Sequence, residues 1–387
     1  LESARFVIAQ VNEQMPRTWG DSFIHIDQID HLVPFDEPLV EMVPLAKNVE
    51  VSRRIGHYVA QLVEDGATLQ IGFGHMPNAI LQYLEDKKDL GLHTQVITDA
   101  FLPLFEKGVV TNRQKHYIPR RAVSSLCMGS KVIYDYIDNN PLFYFRSSEF
   151  VNDPTIIANN DNLISISSAL EVDLTGQVCT DSIGYKFYSG IGDQVDFIRG
   201  SAMSKGGFSI IAMPATASNG RRSRIGPHLG QGAGVATTRG DVNFVVTEYG
   251  IAELQGKSIY RRVMELAQIA HPKFREKLIR EVYPELDTYL SEDPWTIVAR
   301  QLKCPVQRVR ELFPRPEYLG CVRRIVKGQR VKSGSSEPYP DERIESVWVG
   351  LQILNNNPDL AEPIANRDVS RETGLVRKIF SSPIRTP

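Results

Sequence analysis

A short apolar run, a glycine loop and a helical segment follow one another between Ala67 and Leu84, and this unit narrows the choice of folds more than any other feature. Ala67 to Ile71 reads as a strand, Gly72-Phe-Gly-His-Met-Pro as a loop, and Asn78 to Leu84 as the helix that follows. Before it, Val51, Ile55, Val59 and Leu62, with Val63, recur at helical spacing over Asn48 to Glu64, and Asp65-Gly66 stops that helix. Short apolar runs at Thr94 to Ile97, Ala122 to Met128, Leu163 to Ile166, Ser209 to Met213 and Asn243 to Thr247 read as further buried strands. Repeated strand and helix units predict an open α/β sheet flanked by helices, with its sites at the C-terminal strand ends.

Composition excludes several classes. The 387 residues are 42% hydrophobic and 23% charged, with a net charge of −2, which suits a soluble globular chain of two or more domains. Near-neutral charge gives no reason to expect nucleic acid or an anionic membrane as partner. No apolar run reaches the length of a membrane span and no signal-peptide layout opens the chain, so a cytoplasmic protein is expected. Cys127, Cys179, Cys304 and Cys321 form no CxxC pair, and His57, His75, His93 and His116 are scattered. No metal site is expected.

Several longer blocks carry more information. They are Val11 to Gly20 (VNEQMPRTWG), Gly66 to Asp99, Ser168 to Val178 (SALEVDLTGQV), Phe187 to Gly200 (FYSGIGDQVDFIRG), Thr237 to Val242 (TTRGDV) and Val246 to Ala252 (VTEYGIA). In this order, from about Arg5 to about Lys277, they resemble the acetyl-CoA hydrolase/transferase family, whose best-known branch is the 4-hydroxybutyrate CoA-transferases. The resemblance implies a CoA-transferase-like fold. Residues 1–46 would be the end of an N-terminal lobe plus an interlobe connection, with the rest of that lobe missing, and 47–277 the C-terminal CoA-transferase domain. It also implies acyl-CoA and a small carboxylate as substrates, coenzyme A as a substrate and not a resident cofactor, and a homo-oligomer. A separate chain supplying the N-terminal lobe is one further partner to consider.

Gln95 is the departure that matters most. The matching family position is a glutamate that attacks the thioester, forms a mixed anhydride and recaptures CoA as a glutamyl thioester. An amide offers neither a nucleophilic oxygen nor a competent leaving group. Placed in an otherwise intact site, Gln95 costs at least about 10³ to 10⁴ in rate, or about 4 to 5.5 kcal/mol. Three readings stand open: an engineered substitution, a natural member with a changed reaction such as an acyl-CoA decarboxylase or lyase, and a non-catalytic acyl-CoA-binding subunit.

The remaining candidates surround that position. Ile71, Gly72, Phe73, Gly74 and His75, with Ser189 to Gly192 and so Gly190 and Gly192, supply glycine loops whose amides can approach an oxyanion, or serve only as tight turns. By resemblance these two loops form the oxyanion hole and touch CoA. Ser167 stands where the family usually has asparagine near the pantetheine. Asp193 stands where a second glycine is common, and its carboxylate would disfavour an anionic acyl group. Glu248, in the matched Thr247-Glu-Tyr block, corresponds to an active-site glutamate. Lys205 and Arg199 could meet CoA phosphates or be solvated surface cations. Glu149 and Glu171 are substitute carboxylates, with surface and structural roles favoured.

Beyond Lys277 the resemblance fades, and 278–387 reads as a helical extension. Two short helices flank Lys303-Cys-Pro, a plain hairpin in preference to a DNA-reading one, and Lys327 to Arg343 reads as a flexible linker before a helix over Ile344 to Leu354.

Overall fold

A computed structural model describes residues 4–42 and 49–282. It divides into two units, 1–274 and 275–387, and the features below belong to the first, apart from the last helix, most of which lies in the second. The expected C-terminal helices and the 327–343 linker lie outside the described residues.

Two strands open the chain, β1 (Ile8–Val11) and β2 (His31–Pro34), paired in parallel with Ile8 opposite His31. The sequence places β2 inside a stretch that reads as plain connection. Asp30, which looks like a turn residue, docks the two strands by accepting the Val7 N–H on its carboxylate at 2.8 Å. Between them the chain runs through Gly20, whose neighbours Trp19 and Asp21 exchange backbone hydrogen bonds with Phe145 at 2.7 and 2.8 Å. A Cβ at Gly20 would lie on the Phe145 backbone, and its φ of +119° is one that only glycine adopts without strain.

The expected helix follows as α1 (Val49–Leu62), and the strand, loop and helix unit as β3 (Thr68–Ile71) and α2 (His75–Leu81). Next come β4 (Gly91–Ile97), α3 (Leu102–Glu106), β5 (Ala122–Cys127), α4 (Lys131–Ile137) and β6 (Phe143–Phe145). The short helices α5 (Ser148–Val151) and α6 (Pro154–Ala158) lead to β7 (Leu163–Ser167), then to β8 (Glu171–Asp173), β9 (Val178–Cys179) and a hairpin of β10 (Ser182–Ile183) and β11 (Lys186–Phe187). The chain continues through α7 (Gln194–Met203), β12 (Phe208–Ala212), β13 (Thr216–Ala217), β14 (Arg222–Ser223), β15 (Ile225–Gly226), β16 (Phe244–Thr247) and β17 (Gly250–Glu253). Helices α8 (Ile259–Ile269) and α9 (Pro272–Val282) close the described part.

Eight strands form one sheet in the order β17-β16-β12-β7-β3-β4-β5-β6. Every pair is parallel except β16 with β17, an antiparallel edge. The fold is thus the α/β sheet that the alternating pattern predicts. What the pattern does not contain is the order. From β3 the chain steps outward through β4, β5 and β6, then returns to β3's other side as β7 and steps outward again. The reversal lies between β3 and β7, and crevices at such a point are where open α/β sheets bind ligands.

The core lies between the sheet and its helices. Ile55 and Val59 of α1, Leu69 of β3, Leu92 of β4 and Ile80 of α2 are all fully buried in one apolar cluster. Each such side chain contributes about 1.5 to 3 kcal/mol relative to an exposed one. On the opposite sheet face, Phe197 of α7 packs with Val151 and Ile157.

Candidate functional site at the C-terminal edge of the sheet

The loops after β3 and β7 flank the reversal point. Gly72 donates its N–H to the Ile166 carbonyl at 2.8 Å. A Cβ there would stand 3.3 Å from that oxygen and 3.4 Å from Ser167 Oγ. Glycine at 72 is therefore required by close packing of two strand ends, and its amide is spent on the ladder. The next two amides are different: among the described residues Phe73 and Gly74 make no backbone hydrogen bond through their N–H groups. Gly74 has φ +138°, which turns the chain into α2 at His75, and Phe73 is exposed. Ile71 is buried beneath them. Ser167 ends β7 at 3% exposure with its hydroxyl unpartnered, an unusual condition for a buried polar group.

Gln95 sits beside this notch. β3 and β4 pair as far as Leu69 and Leu92, and then separate. Thr94 fills the break with its side chain, donating to the Ile71 carbonyl at 3.0 Å and accepting the Ile71 N–H at 3.3 Å. On the other side the Gln95 carbonyl accepts the Ser124 hydroxyl at 2.9 Å. The backbone of Gln95 is thus fixed on one side, and its half-buried side chain stands where the ladder has opened. Strand alternation puts it on the same face as His93. His93 is fully buried; its Nε2 lies 2.9 Å from the Val151 carbonyl and its ring packs edge-on to Phe197. Burial, with the Lys115 charge, pulls the His93 pKa down to about 3, and burial pulls Lys115 down to about 7.

The second glycine loop enters from α7. This helix delivers the chain to the start of β12, so its N-terminus lies at the C-terminal strand edge. Gly190 and Gly192 precede it, exposed, with no backbone bond from the N–H groups of residues 190 to 192. Only Gly192 needs glycine for its backbone, at φ +70°. Asp193 is half-buried and gives α7 no capping bond. Burial pushes its carboxyl upward, against the effect of its own amide and with help from Asp196. Gln194 follows, 9% exposed, with Nε2 unpartnered.

Glu248 closes the edge after β16. It is 8% exposed and accepts the Ala215 N–H at 2.8 Å. Arg224 lies within its field and donates to the Ala169 carbonyl at 3.0 Å; burial lowers the pKa of this arginine while Glu248 raises it. The pair ties the ends of β7, β12 and β16 together. Arg224 and Gln194 escape the sequence reading because a lone polar residue without periodic neighbours gives no signal of burial.

Other candidates fall elsewhere. Lys205 is exposed in the turn before β12, and its carbonyl accepts the Asn162 N–H just before β7. It stands at the N-terminal strand edge, opposite the glycine loops, because a turn that enters a parallel strand lies across the sheet from one that leaves it. Arg199 faces the same lower edge, 3.8 Å from Asp241. Glu149 is exposed on α5. Glu171 is committed to the Gly230 N–H at 2.7 Å and to Arg222 at 3.3 Å. The structure places Gln95, Ile71 to His75, Ser167, Gly190, Gly192 and Glu248 along the same C-terminal edge, with Glu248 four strands from β4, and leaves Lys205 at the other edge.

The acetyl-CoA hydrolase/transferase C-terminal domain matches residues 129–282. A 4-hydroxybutyrate coenzyme A transferase of Clostridium kluyveri is 51% identical over 280 residues, covering 72% of this chain and 65% of that protein. This chain belongs to the acetyl-CoA hydrolase/transferase family. Solved structures agree with that membership. A 4-hydroxybutyrate CoA-transferase from Porphyromonas gingivalis superposes with a TM-score of 0.64 at 40% identity, over 73% of this chain and 67% of that one. RipA from Yersinia pestis gives a TM-score of 0.69 at 40% identity, over 73% and 64%. The chain spans 65% of the length of the Clostridium kluyveri relative, and the family match includes Glu248 and the Gly190–Gly192 loop while Gln95 precedes it.

Proposed function

We propose that the C-terminal edge of this sheet binds an acyl-CoA, as the acyl-CoA half of an acyl-CoA:carboxylate CoA-transferase or acyl-CoA hydrolase type site. The observation that carries the reading is the pair of glycine loops with unpartnered amides near the reversal point of the sheet, with Gln95 on the neighbouring strand β4. Amides of this kind can receive a thioester oxygen as it becomes an oxyanion, a contribution worth about 10² to 10³ in rate per donor in other acyl-transfer sites. Ser167 supplies a buried hydroxyl for the pantetheine arm, and Glu248 with Arg224 holds the strand ends that frame it. Gln95 cannot form the glutamyl thioester, so CoA exchange through that intermediate is closed to the chain as it stands.

The β1 and β2 strands add a partner to this reading. Phe6, Ile8, Leu32, Val33 and Phe35 are all exposed on a two-stranded parallel ribbon, and isolated ribbons of that size are marginal in water. A neighbouring lobe or a separate chain that extends this ribbon would cover them and help to form the acyl pocket.

Calorimetric titration with CoA and with butyryl-CoA tests the pocket. Saturable binding that weakens when Gly74 is changed to Val supports it, and no binding of either ligand to the full chain rejects it. Exchange of labelled acetate into acyl-CoA, absent from the chain with Gln95 and present in Gln95→Glu, tests the transferase framework.

A further inference from the structure

Where β4 carries an amide, the start of α7, the helix packed over β7 and β12, carries a carboxylate. His93 and Gln95 share one face of β4, and the His93 ring stands 6.1 Å, centroid to centroid, from Phe197 of α7. Asp193 precedes Phe197 by four residues, and the Phe197 N–H donates to the Asp193 carbonyl at 3.2 Å, so their side chains lie one turn apart on one helix face. α7 runs antiparallel to β4. Two residues along β4 advance about 7 Å toward the C-terminal edge, and one turn back along α7 advances about 6 Å in the same direction. Gln95 and Asp193 therefore both lie toward the C-terminal edge, one layer above His93 and Phe197.

Independent features mark this spot as built for a ligand. The Gln194 amide nitrogen beside Asp193 and the Ser167 hydroxyl are both more than nine-tenths buried and both lack a partner. The N–H groups of residues 190 to 192 are unpartnered as well. Asp193 itself is held by no capping bond.

We propose that Asp193 is the general base of an acyl-CoA thioester hydrolysis in this site, with Gln95 orienting the attacking water; this rests on the acyl-CoA reading of the pocket. Asp193 takes a proton from water as the water oxygen bonds to the thioester carbonyl carbon. The oxyanion is held by the loop amides. Its collapse breaks the carbon–sulfur bond, and the proton on Asp193 passes to the departing thiolate. Acyl-CoA and water thus become a carboxylic acid and CoA thiol, with no glutamyl intermediate. A half-buried carboxylate whose pKa is raised by burial is suited to this shuttle, since it accepts a proton more readily than a solvated one and can return it.

The test measures thiol release from acetyl-CoA and butyryl-CoA by the full chain, together with CoA binding by calorimetry. Steady release by the natural chain is expected, reduced at least about 100-fold in Asp193→Asn and partly retained in Asp193→Glu, with CoA affinity unchanged in both. Single turnover in H₂¹⁸O should label the product acid and leave Asp193 unlabelled. Release that survives Asp193→Asn, or ¹⁸O in the Asp193 side chain, overturns the assignment. CoA binding without any thiol release by the natural chain overturns it too and leaves the pocket standing, whereas absence of CoA binding removes both.

Discussion

The two edges of the sheet are built from the same kinds of residue and end in opposite conditions. At the N-terminal edge the turns close largely on themselves, with Asn112 Nδ2 and Asn160 Oδ1 unpartnered among the described residues. Asp65 accepts the Lys88 N–H at 2.8 Å, Asn162 donates its N–H to Lys205, the Ser204 hydroxyl donates to the Asn160 carbonyl at 2.6 Å, and Asn243 accepts both the N–H and the hydroxyl of Ser209. At the C-terminal edge Asp99 still closes the turn at Ser130, accepting its N–H at 2.8 Å and its hydroxyl at 2.6 Å, but the loops after β3 and before α7 are rich in glycine, and Ser167, Gln194 and the amides of those loops are left open. Closed turns fix the strand order, while open polar groups have a purpose only if something else fills them. The difference is the ground on which the C-terminal edge is proposed as the acyl-CoA site.

The comparison can be broken most strongly at residue 95. Gln95→Glu returns a nucleophilic carboxylate to the open edge, and labelled acetate exchange into acyl-CoA is expected to rise by at least about 10³-fold. No rise would mean that the edge no longer positions an acyl group against β4.

Next in size is a change at the closed end of α7. A Cβ on Gly200 would meet Ile157 side-chain atoms at 2.4 and 2.5 Å, so Gly200→Ala should destabilise the chain by about 2 to 3 kcal/mol in urea titration. If α7 also sets the Asp193 position, thiol release should fall further than the folded fraction does.

The layer between the edges is a pH sensor of stability. His93 is held neutral, with its pKa lowered to about 3 from an ordinary value near 6.5. Below about pH 6.5 the unfolded chain takes up a proton that the folded chain refuses, so stability falls as pH drops through the window between those two values. The contribution from this group amounts to about 2 kcal/mol between pH 6.5 and 5. His93→Gln should flatten that part of the profile, measured as the urea midpoint against pH.

The smallest effect is expected at the closed edge. Lys205→Ala should change stability by less than about 0.5 kcal/mol and leave CoA affinity as it was. A clear loss of affinity would place phosphate recognition at the N-terminal edge and erase the contrast between the two ends.

Much of the fold was legible in the chain itself. Six expected strands appear as β3, β4, β5, β7, β12 and β16, because four- to seven-residue apolar runs bounded by Gly, Asp and Asn can do little else inside an α/β core. β2 was not legible, since the exposed Leu32 and Val33 are flanked by Asp30 and Pro34, which locally read as connection. The candidate site was legible only in part. Glycine loops and Glu248 announce themselves in matched blocks, whereas Lys205 shares such a block's neighbourhood in sequence and lies across the sheet in space.

By itself the sequence determined the period, burial and punctuation of the elements, and it determined that position 95 carries an amide. Those are local properties, set by side-chain spacing and by which residues tolerate a turn. Only the tertiary structure decided that the sheet reverses between β3 and β7, that Arg224 and Gln194 lose their solvent, and that Asp193 and Gln95 lie toward the same sheet edge. Strand order comes from pairings between residues about 20 to 100 positions apart in the chain, from Ala122 with Phe143 to Ile71 with Ile166, and no local pattern encodes which partner wins.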